Sequence, residues 1–388
     1  MITQGAEILP KGEQCPADAA VLRDSAAING REDIIGFEAL WTSMMKCKRG
    51  VMWKDSVAGF FLNGVKEVSR LSDELESGTY RERRHQYFTI TSPKRREIMS
   101  ISFRDRVYQR SLNDVAIYPE MVKHFVYDNG ACQTGKGTSF ARNRMKCHLQ
   151  RFYRKHGTNG YILKMDVKGY YPNMRHDVAK EVFRKYLPED VYRMAEAILD
   201  GFPGEVGFNP GSQIIQIAGI SVLNGIDHFI KEQLRVKHYI RYMDDMVAIS
   251  DSMEELETVR EAVREKLAEI GFELHPDKTR IIPISAGILF LGFHYRLTET
   301  GKVLMSVDSV RVKAERRKLR RMANRVKKGL MAREKVDQCF GSWIAHAKQG
   351  NSWKLIRRME LFYQSLWEVT NDHDQDHSRE DRKAPSGV

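Results

Sequence analysis

Two acidic residues sit side by side where the surrounding sequence otherwise asks for buried strands. In HYIRYMDDMVAIS, from His238 to Ser250, Asp244 and Asp245 separate two apolar, β-rich runs, the pattern of a tight hairpin with both acids at its turn. A second β-rich run, YILKMDV from Tyr161, ends in Asp166 and passes into the turn-like KGYYPNM. Core packing does not account for adjacent aspartates at a β-turn, and a third carboxylate from a neighbouring strand would crowd negative charge that only bound cations neutralise. Small, hard Mg2+ takes carboxylate oxygens and substrate phosphates together. Two such ions about 4 Å apart activate an attacking hydroxyl and stabilise a leaving pyrophosphate. The chemistry these residues imply is nucleotidyl transfer.

The rest of the chain is compatible with an enzyme of that kind. It has 388 residues, 42% hydrophobic and 29% charged, enough to bury one large core or two or three modest ones. A formal net charge of +12 favours polyanionic partners, nucleic acid first among them. The five cysteines are scattered and never form a C-x-x-C pair, so reduced thiols are expected rather than a zinc site. No leader-like or membrane-spanning run is present, which predicts a cytoplasmic protein with no membrane partner.

Periodicity organises the chain. Polar, aperiodic tails are expected at 1–32 and 371–388. From Asp33 to about Leu75 apolar residues recur at helical spacing: Phe37, Leu40 and Trp41, then Phe60, Phe61, Val65 and Leu71. Gln86 to Ile90 reads as a strand, Pro93-Lys94-Arg95-Arg96 as a basic turn suited to phosphate, and Phe103 to Val115 as a helix. From Arg311 to Lys328 the chain is densely basic with helical propensity. Arg311, Lys313, Arg317, Arg320 and Arg321 would neutralise nucleic-acid phosphates there, unless they simply form a solvated face.

Tyr242-Met243-Asp244-Asp245 resembles the Y-x-D-D signature of reverse transcriptases, and Asp166 in KMDVKGYYPNM resembles the first metal-binding aspartate of the same palm. FTITSPKRREIMSISFRDRVYQRSL upstream, then HPDKTRI and GILFLGFHY downstream, resemble further motifs of that family in the same order. The resemblance covers about Asp33 to Trp367 and points to bacterial enzymes of the diversity-generating, defence-associated and uncharacterised groups. NGACQTGKGTSFA and SWIAHAKQGNSW are shared with those groups. One departure is that Gly211-Ser212-Gln213-Ile214-Ile215-Gln216 stands where diversity-generating enzymes have G-x-x-x-S-Q, keeping Gln216 but placing Ile215 at the serine.

The resemblance implies an α+β right-hand polymerase fold, with helical region and fingers at 33–160, palm at 161–296 and a basic helical thumb at 297–370. It implies catalysis by Asp166, Asp244 and Asp245, with two Mg2+ ions, or Mn2+ in their place, held by these residues and Val167. Lys94 and Arg96 would meet triphosphate oxygens, Tyr171 would exclude a 2′-hydroxyl, and Gly211 and Gln216 would line the nucleotide pocket or touch template. Lys278 would stand behind the active site, with a structural salt bridge as its other reading. Trp343, His346 and Trp353 are expected mainly in a thumb core. Implied partners are a structured noncoding RNA template, dNTPs, the DNA product, and a second copy or accessory protein. No maturase, endonuclease or zinc-finger segment follows the thumb, which argues against a mobile intron. Antiphage defence is the favoured role and a diversity-generating element the runner-up. Untemplated DNA synthesis and an idle nucleic-acid-binding scaffold are the readings from other classes.

Overall fold

The helical spacing near the start of the chain becomes four short helices in the computed structural model, which describes residues 30–91, 95–209 and 211–368. These are α1 (Glu32–Ile35), α2 (Phe37–Cys47), α3 (Asp55–Leu62) and α4 (Gly64–Glu76). Leu40, Met44, Val68 and Leu71 are buried along their inner stripes, while Lys66 and Arg70 stay in solvent. Val65, counted in the apolar pattern, instead lies outside and is 64% exposed. Most of both expected tails, together with Pro93 and Lys94, lies outside the described residues.

The chain divides into two units, Met1–Ile284 and Ser285–Val388. In the first, β1 (Gln86–Ile90) and β2 (Arg96–Ser100) form an antiparallel ribbon. Ser102 then caps α5 (Phe103–Leu112), its Oγ accepting from the Asp105 N–H at 3.2 Å while its hydroxyl donates to Asp105 Oδ2 at 2.6 Å. A π-turn over Asn113–Ile117 carries α5 into α6 (Tyr118–Val122), and α7 (Thr138–His156) follows the glycine-containing loop.

The central sheet is built from β3 (Tyr161–Asp166), β4 (His238–Tyr242), β5 (Asp245–Ser250) and β6 (Arg280–Pro283), in the order β4-β5-β3-β6 and antiparallel throughout. Between β3 and β4 come α8 (His176–Tyr186), α9 (Glu189–Asp200), α10 (Gln213–Val222) and α11 (Asn224–His228). Between β5 and β6 comes α12 (Met253–Glu269). Leu163, Met165, Tyr239, Met246 and Ala248 are fully buried, in one core with Phe183 of α8, Ile217 of α10, and Leu256 and Val263 of α12. The strands are buried nearly continuously along β4 and β5, and the helices meet them with apolar residues at three-to-four spacing.

The second unit contains the meander β7 (Ile288–Phe290), β8 (Phe293–Leu297) and β9 (Val303–Val307), then α13 (Ser309–Lys327), α14 (Arg333–Ala347) and α15 (Trp353–Ser365). Leu319, Val336, Phe340, Met359 and Phe362 form the core of the three helices. The central sheet therefore ends at Pro283, and Arg296, where the sequence suggested a palm boundary, falls inside β8. Trp343 packs at the edge of the helical core, parallel to Phe340, but Trp353 opens α15 and is 68% exposed, so the expected core role does not extend to it. Among the described residues, Cys47, Cys132 and Cys339 are free thiols. Among the described residues no helix is long and apolar enough to cross a membrane.

The start of β3 has no room for a side chain. A Cβ on Gly160 would lie 2.3 Å from Phe152 Cζ and 2.8 Å from the Ser250 carbonyl oxygen. Gly160→Ala should therefore destabilise the first unit by about 1–3 kcal/mol through overpacking, read as a lowered urea midpoint with unchanged slope.

Candidate active site

Antiparallel register brings the acids together. Asp166, the last residue of β3, is the cross-strand partner of Asp245, the first of β5, and Tyr242 closes β4 opposite Asp245. Met243 and Asp244 are thus the two loop residues of the β4–β5 hairpin. Met243 has φ of 55°, the positive value that the first position of such a turn demands and that a side-chain-bearing residue rarely adopts.

A buried guanidinium holds this turn. Arg241 and Asp227 are both fully buried, with Arg241 Nε 2.7 and 2.9 Å from the two carboxylate oxygens and Nη2 2.6 Å from Oδ2. The remaining Arg241 donors reach the carbonyls of Met243 at 3.0 Å and Ile220 at 2.9 Å. The Arg241 backbone is paired as well, its N–H donating to the Asp128 carbonyl and its carbonyl accepting from the Gly130 N–H. Sequence reasoning missed Arg241 and Asp227. Their signal was an arginine at an inward-facing position of β4, two residues from the buried Tyr239.

The carboxylates are electrostatically strained. Burial raises the Asp244 pKa, and the neighbouring Asp166 charge raises it further. Burial also pushes Asp245 up to about 6 against the opposing effect of Lys164, while Asp166 and Asp244 add to the rise. Lys164 Nζ lies 3.2 Å from Asp245 Oδ1, at ion-pair distance but without hydrogen-bond geometry. Lys278 donates to Asp166 Oδ1 at 2.7 Å, a salt bridge. Lys164 was also missed, although its place two residues before Asp166 on one strand could have revealed it.

Among the described residues no group of three His, Cys, Asp or Glu side chains forms a ready-made metal cage. The donor set nonetheless fits magnesium. It is all oxygen, its charge is raised in free energy by burial and mutual repulsion, and Mg2+ characteristically uses one or two carboxylates with water and substrate phosphates. Val167, 1% exposed and bridged to Leu274, follows Asp166 directly and could contribute only its backbone carbonyl.

The other expected site residues are placed unevenly. Tyr171 is half-buried against α10, where a Cβ on Gly219 would lie 2.7 Å from its hydroxyl, and that hydroxyl has no hydrogen-bond partner. Gln216 is exposed on α10, whereas Ile215 is fully buried. The need for glycine at Gly211 arises from the protein itself, because a Cβ there would lie 2.7 Å from the Met99 carbonyl. Lys136 of the glycine loop donates to the carbonyls of Tyr127 at 2.9 Å and Asn129 at 3.2 Å. Lys94 lies outside the described residues, and Arg96 begins β2. In the second unit, Arg311, Lys313, Arg317, Arg320 and Arg321 are all exposed on α13, with Arg320 lying over the Phe362 ring.

Arg241→Met, which strands the buried Asp227 charge, should cost about 3–5 kcal/mol in urea unfolding, and adding Asp227→Leu should recover most of that loss. Asp245→Asn should stabilise the fold by on the order of 1–3 kcal/mol at pH 7.5. A carboxyl whose folded pKa of about 6 exceeds its ordinary value of 3.8 costs stability as pH rises between those values. The gain from the substitution should therefore fade as pH falls from 6 towards 4, which paired urea titrations would follow.

Among curated proteins none matches this chain. Among solved structures, it is similar to apo telomerase from Candida tropicalis at 12% identity and TM-score 0.44, covering 57% of this chain and 48% of that one. It is also similar to telomerase from Candida albicans in complex with a TWJ fragment of telomeric RNA, at 11% identity and TM-score 0.46, covering 73% and 54%. The chain thus spans about half the length of those proteins. The family model described as reverse transcriptase (RNA-dependent DNA polymerase) matches residues 91–295, a span that includes β3, the β4–β5 hairpin and all three aspartates. More than half of the chain lies within that match, and the protein belongs to the reverse transcriptase family, with the mixed helical and antiparallel architecture of a right-hand polymerase.

Proposed function

We propose that this protein copies an RNA template into DNA from dNTPs, with Asp166, Asp244 and Asp245 as its catalytic residues. The observation that carries the reading is the Asp166–Asp245 register pair beside the Met243-Asp244 turn, within the region that matches the family. Two bound Mg2+ ions, or Mn2+ in their place, would supply activation of the attacking hydroxyl and charge neutralisation at the leaving pyrophosphate. The three carboxylates and the Val167 carbonyl would hold them. Lys278 and Lys164 limit the repulsion among the acids until substrate arrives.

Tyr171 supports selection of deoxyribose. Its ring is half-buried, with its hydroxyl close against Gly219, so it is a stiff wall of the kind that rejects a 2′-hydroxyl. Lys94 and Arg96 are assigned to the triphosphate, and Gln216, exposed on α10, to the nucleotide or template. Gly211 belongs to the same wall by keeping α10 close to β2. The exposed cations of α13 suit a sequence-independent grip on the duplex backbone, the task of a thumb.

For the biological role we favour antiphage defence with a structured noncoding RNA as template. Ile215 supports this over a diversity-generating element, because the residue in place of that group's serine is fully buried in the core and could not present a polar group without repacking. The idle-scaffold reading has less support, since a scaffold gains nothing from carboxylates that burial and repulsion strain.

The test is to purify the protein with its co-eluting nucleic acid, add Mg2+ and labelled dNTPs, and sequence the bound RNA and the product beside an Asp244→Ala, Asp245→Ala control. DNA complementary to a bound RNA, reduced to background in the control, is the expected result. Product with no RNA complement would transfer the reading to untemplated synthesis, and no product with any primer would leave the scaffold.

A further inference from the structure

The strands that carry the aspartates at one end carry a basic cleft at the other. A cavity of about 490 Å3 is lined by Arg151, Arg154 and Lys155 of α7 and by Arg235 and Lys237, which lead into β4. All five are exposed, and none has a carboxylate partner among the described residues. The two acids on the rim are already engaged: Asp251 pairs with His156 at 2.9 Å, and Glu255 accepts from the Ser250 hydroxyl. His238 and Ile249, cross-strand partners at this end, both line the cleft. The five strand steps from Asp245 to Ser250 separate it from the catalytic turn by about 17 Å.

Helix-end electrostatics explains only part of this charge. Arg154 and Lys155 lie in the last turn of α7, where cations offset the helix dipole. Arg151 is outside that turn, and Arg235 and Lys237 belong to another segment. Arg235 also has φ of 53°, an unfavourable backbone for a residue with a side chain, and so is held in place beside the others by the fold. The floor of the cleft is made of rings. Phe152 is buried, stacked on His156 at 4.9 Å and edge-on to His238 at 5.9 Å, and the half-buried His156 and His238 line the cavity. His238 Nδ1 is buried without a hydrogen-bond partner, and burial together with the positive charge of His148, Lys231, His156 and Arg151 lowers the pKa of His238 to about 4, leaving a neutral ring at pH 7.

We propose that this cleft is a second RNA site, in which the five cations hold the phosphates of an unpaired strand while a base packs on the imidazole floor. Charged walls over aromatic rings are the recurring chemistry of single-strand recognition. An acidic peptide would use the walls and leave the rings without a purpose. The volume is that of a nucleotide-sized ligand rather than a duplex. Its distance from the catalytic turn makes it an anchor for RNA away from the copied position, and the inference stands whether or not synthesis is templated.

The test uses the full chain and a fluorescein-labelled 12-nucleotide single-stranded RNA of mixed sequence with internal 4-thiouridine. Anisotropy titrations at several salt concentrations compare wild type with R151A/R154A/R235A/K237A and with R151K/R154K/R235K. Light-induced crosslinks are mapped by mass spectrometry, with and without 1 mM ATP. The alanine variant should bind at least tenfold more weakly, with a salt slope smaller by about 2–3 at roughly 0.7 per phosphate. The lysine variant should retain most of the affinity, and crosslinks should fall in 151–156 and 235–238. Unchanged affinity with crosslinks only elsewhere would overturn the proposal, as would displacement of those crosslinks by ATP, which would make the ligand a free nucleotide. Because binding and crosslinking need no synthesis, failure here is separable from failure of the polymerase reading.

Discussion

The pairing of Arg241 with Asp227 is the constraint on which the geometry of the proposed site depends. Two fully buried charges are expensive to desolvate, by several kcal/mol each, and they persist only where hydrogen bonding is thorough. Here it is thorough. Asp227 receives two Arg241 nitrogens and the Tyr239 hydroxyl, at 2.7 Å from the last, while the other guanidinium hydrogens fall on the carbonyls of Ile220 and Met243. The guanidinium thereby links β4, α10, α11 and the hairpin turn. It fixes the carbonyl of the one residue in that turn whose backbone is strained, and strain of this kind persists only when its surroundings over-determine it.

That rigidity has a purpose at the carboxylates. Asp166, Asp244 and Asp245 repel one another in a partly desolvated site, and a flexible turn would relieve the repulsion by moving apart. A turn clamped from behind cannot. On the proposed reading a bound cation would relieve that repulsion, which Lys164 and Lys278 already offset in part. Lysine suits this task because its point charge on a flexible stem can move aside, whereas a bidentate arginine would compete more strongly for the same oxygens. On the α10 side, the Tyr170 hydroxyl donates to the Gly219 carbonyl and Tyr171 lies over the same glycine. The wall assigned to sugar selection is thus anchored to the helix that Arg241 also holds.

Much of this was legible in the sequence because the signals are local. QYFTI, YILKMD and the two arms of HYIRYMDDMVAIS are β-rich runs, and the limits of the last two follow from the turn between them. What the sequence concealed depends on partners far along the chain. Arg241 is unremarkable until Asp227 is folded beneath it. The close approach of the Met99 carbonyl to Gly211 is likewise invisible in the sequence. Trp353 shares apparent spacing with Trp343 and His346, yet the chain turns at Lys348–Ser352 and the periodicity breaks. Period counting cannot see such a break when the loop is short and polar.

The distribution of charge follows from the same logic. A net charge of +12 would be of little use around the aspartates, where cations would compete with metal for the carboxylates. Lys164 and Lys278 at that end of the sheet are already paired with Asp245 and Asp166, and cations on other surfaces would add to the attraction for a polyanion. In the first unit such a surface is the α7–β4 cleft, at the opposite end of the strands that carry the aspartates; in the second unit, α13 carries exposed cations of its own. Because β4 and β5 reach from the cleft to the turn, a ligand held by Lys237 and His238 would rest against the strands that carry Asp244 and Asp245 at their other end.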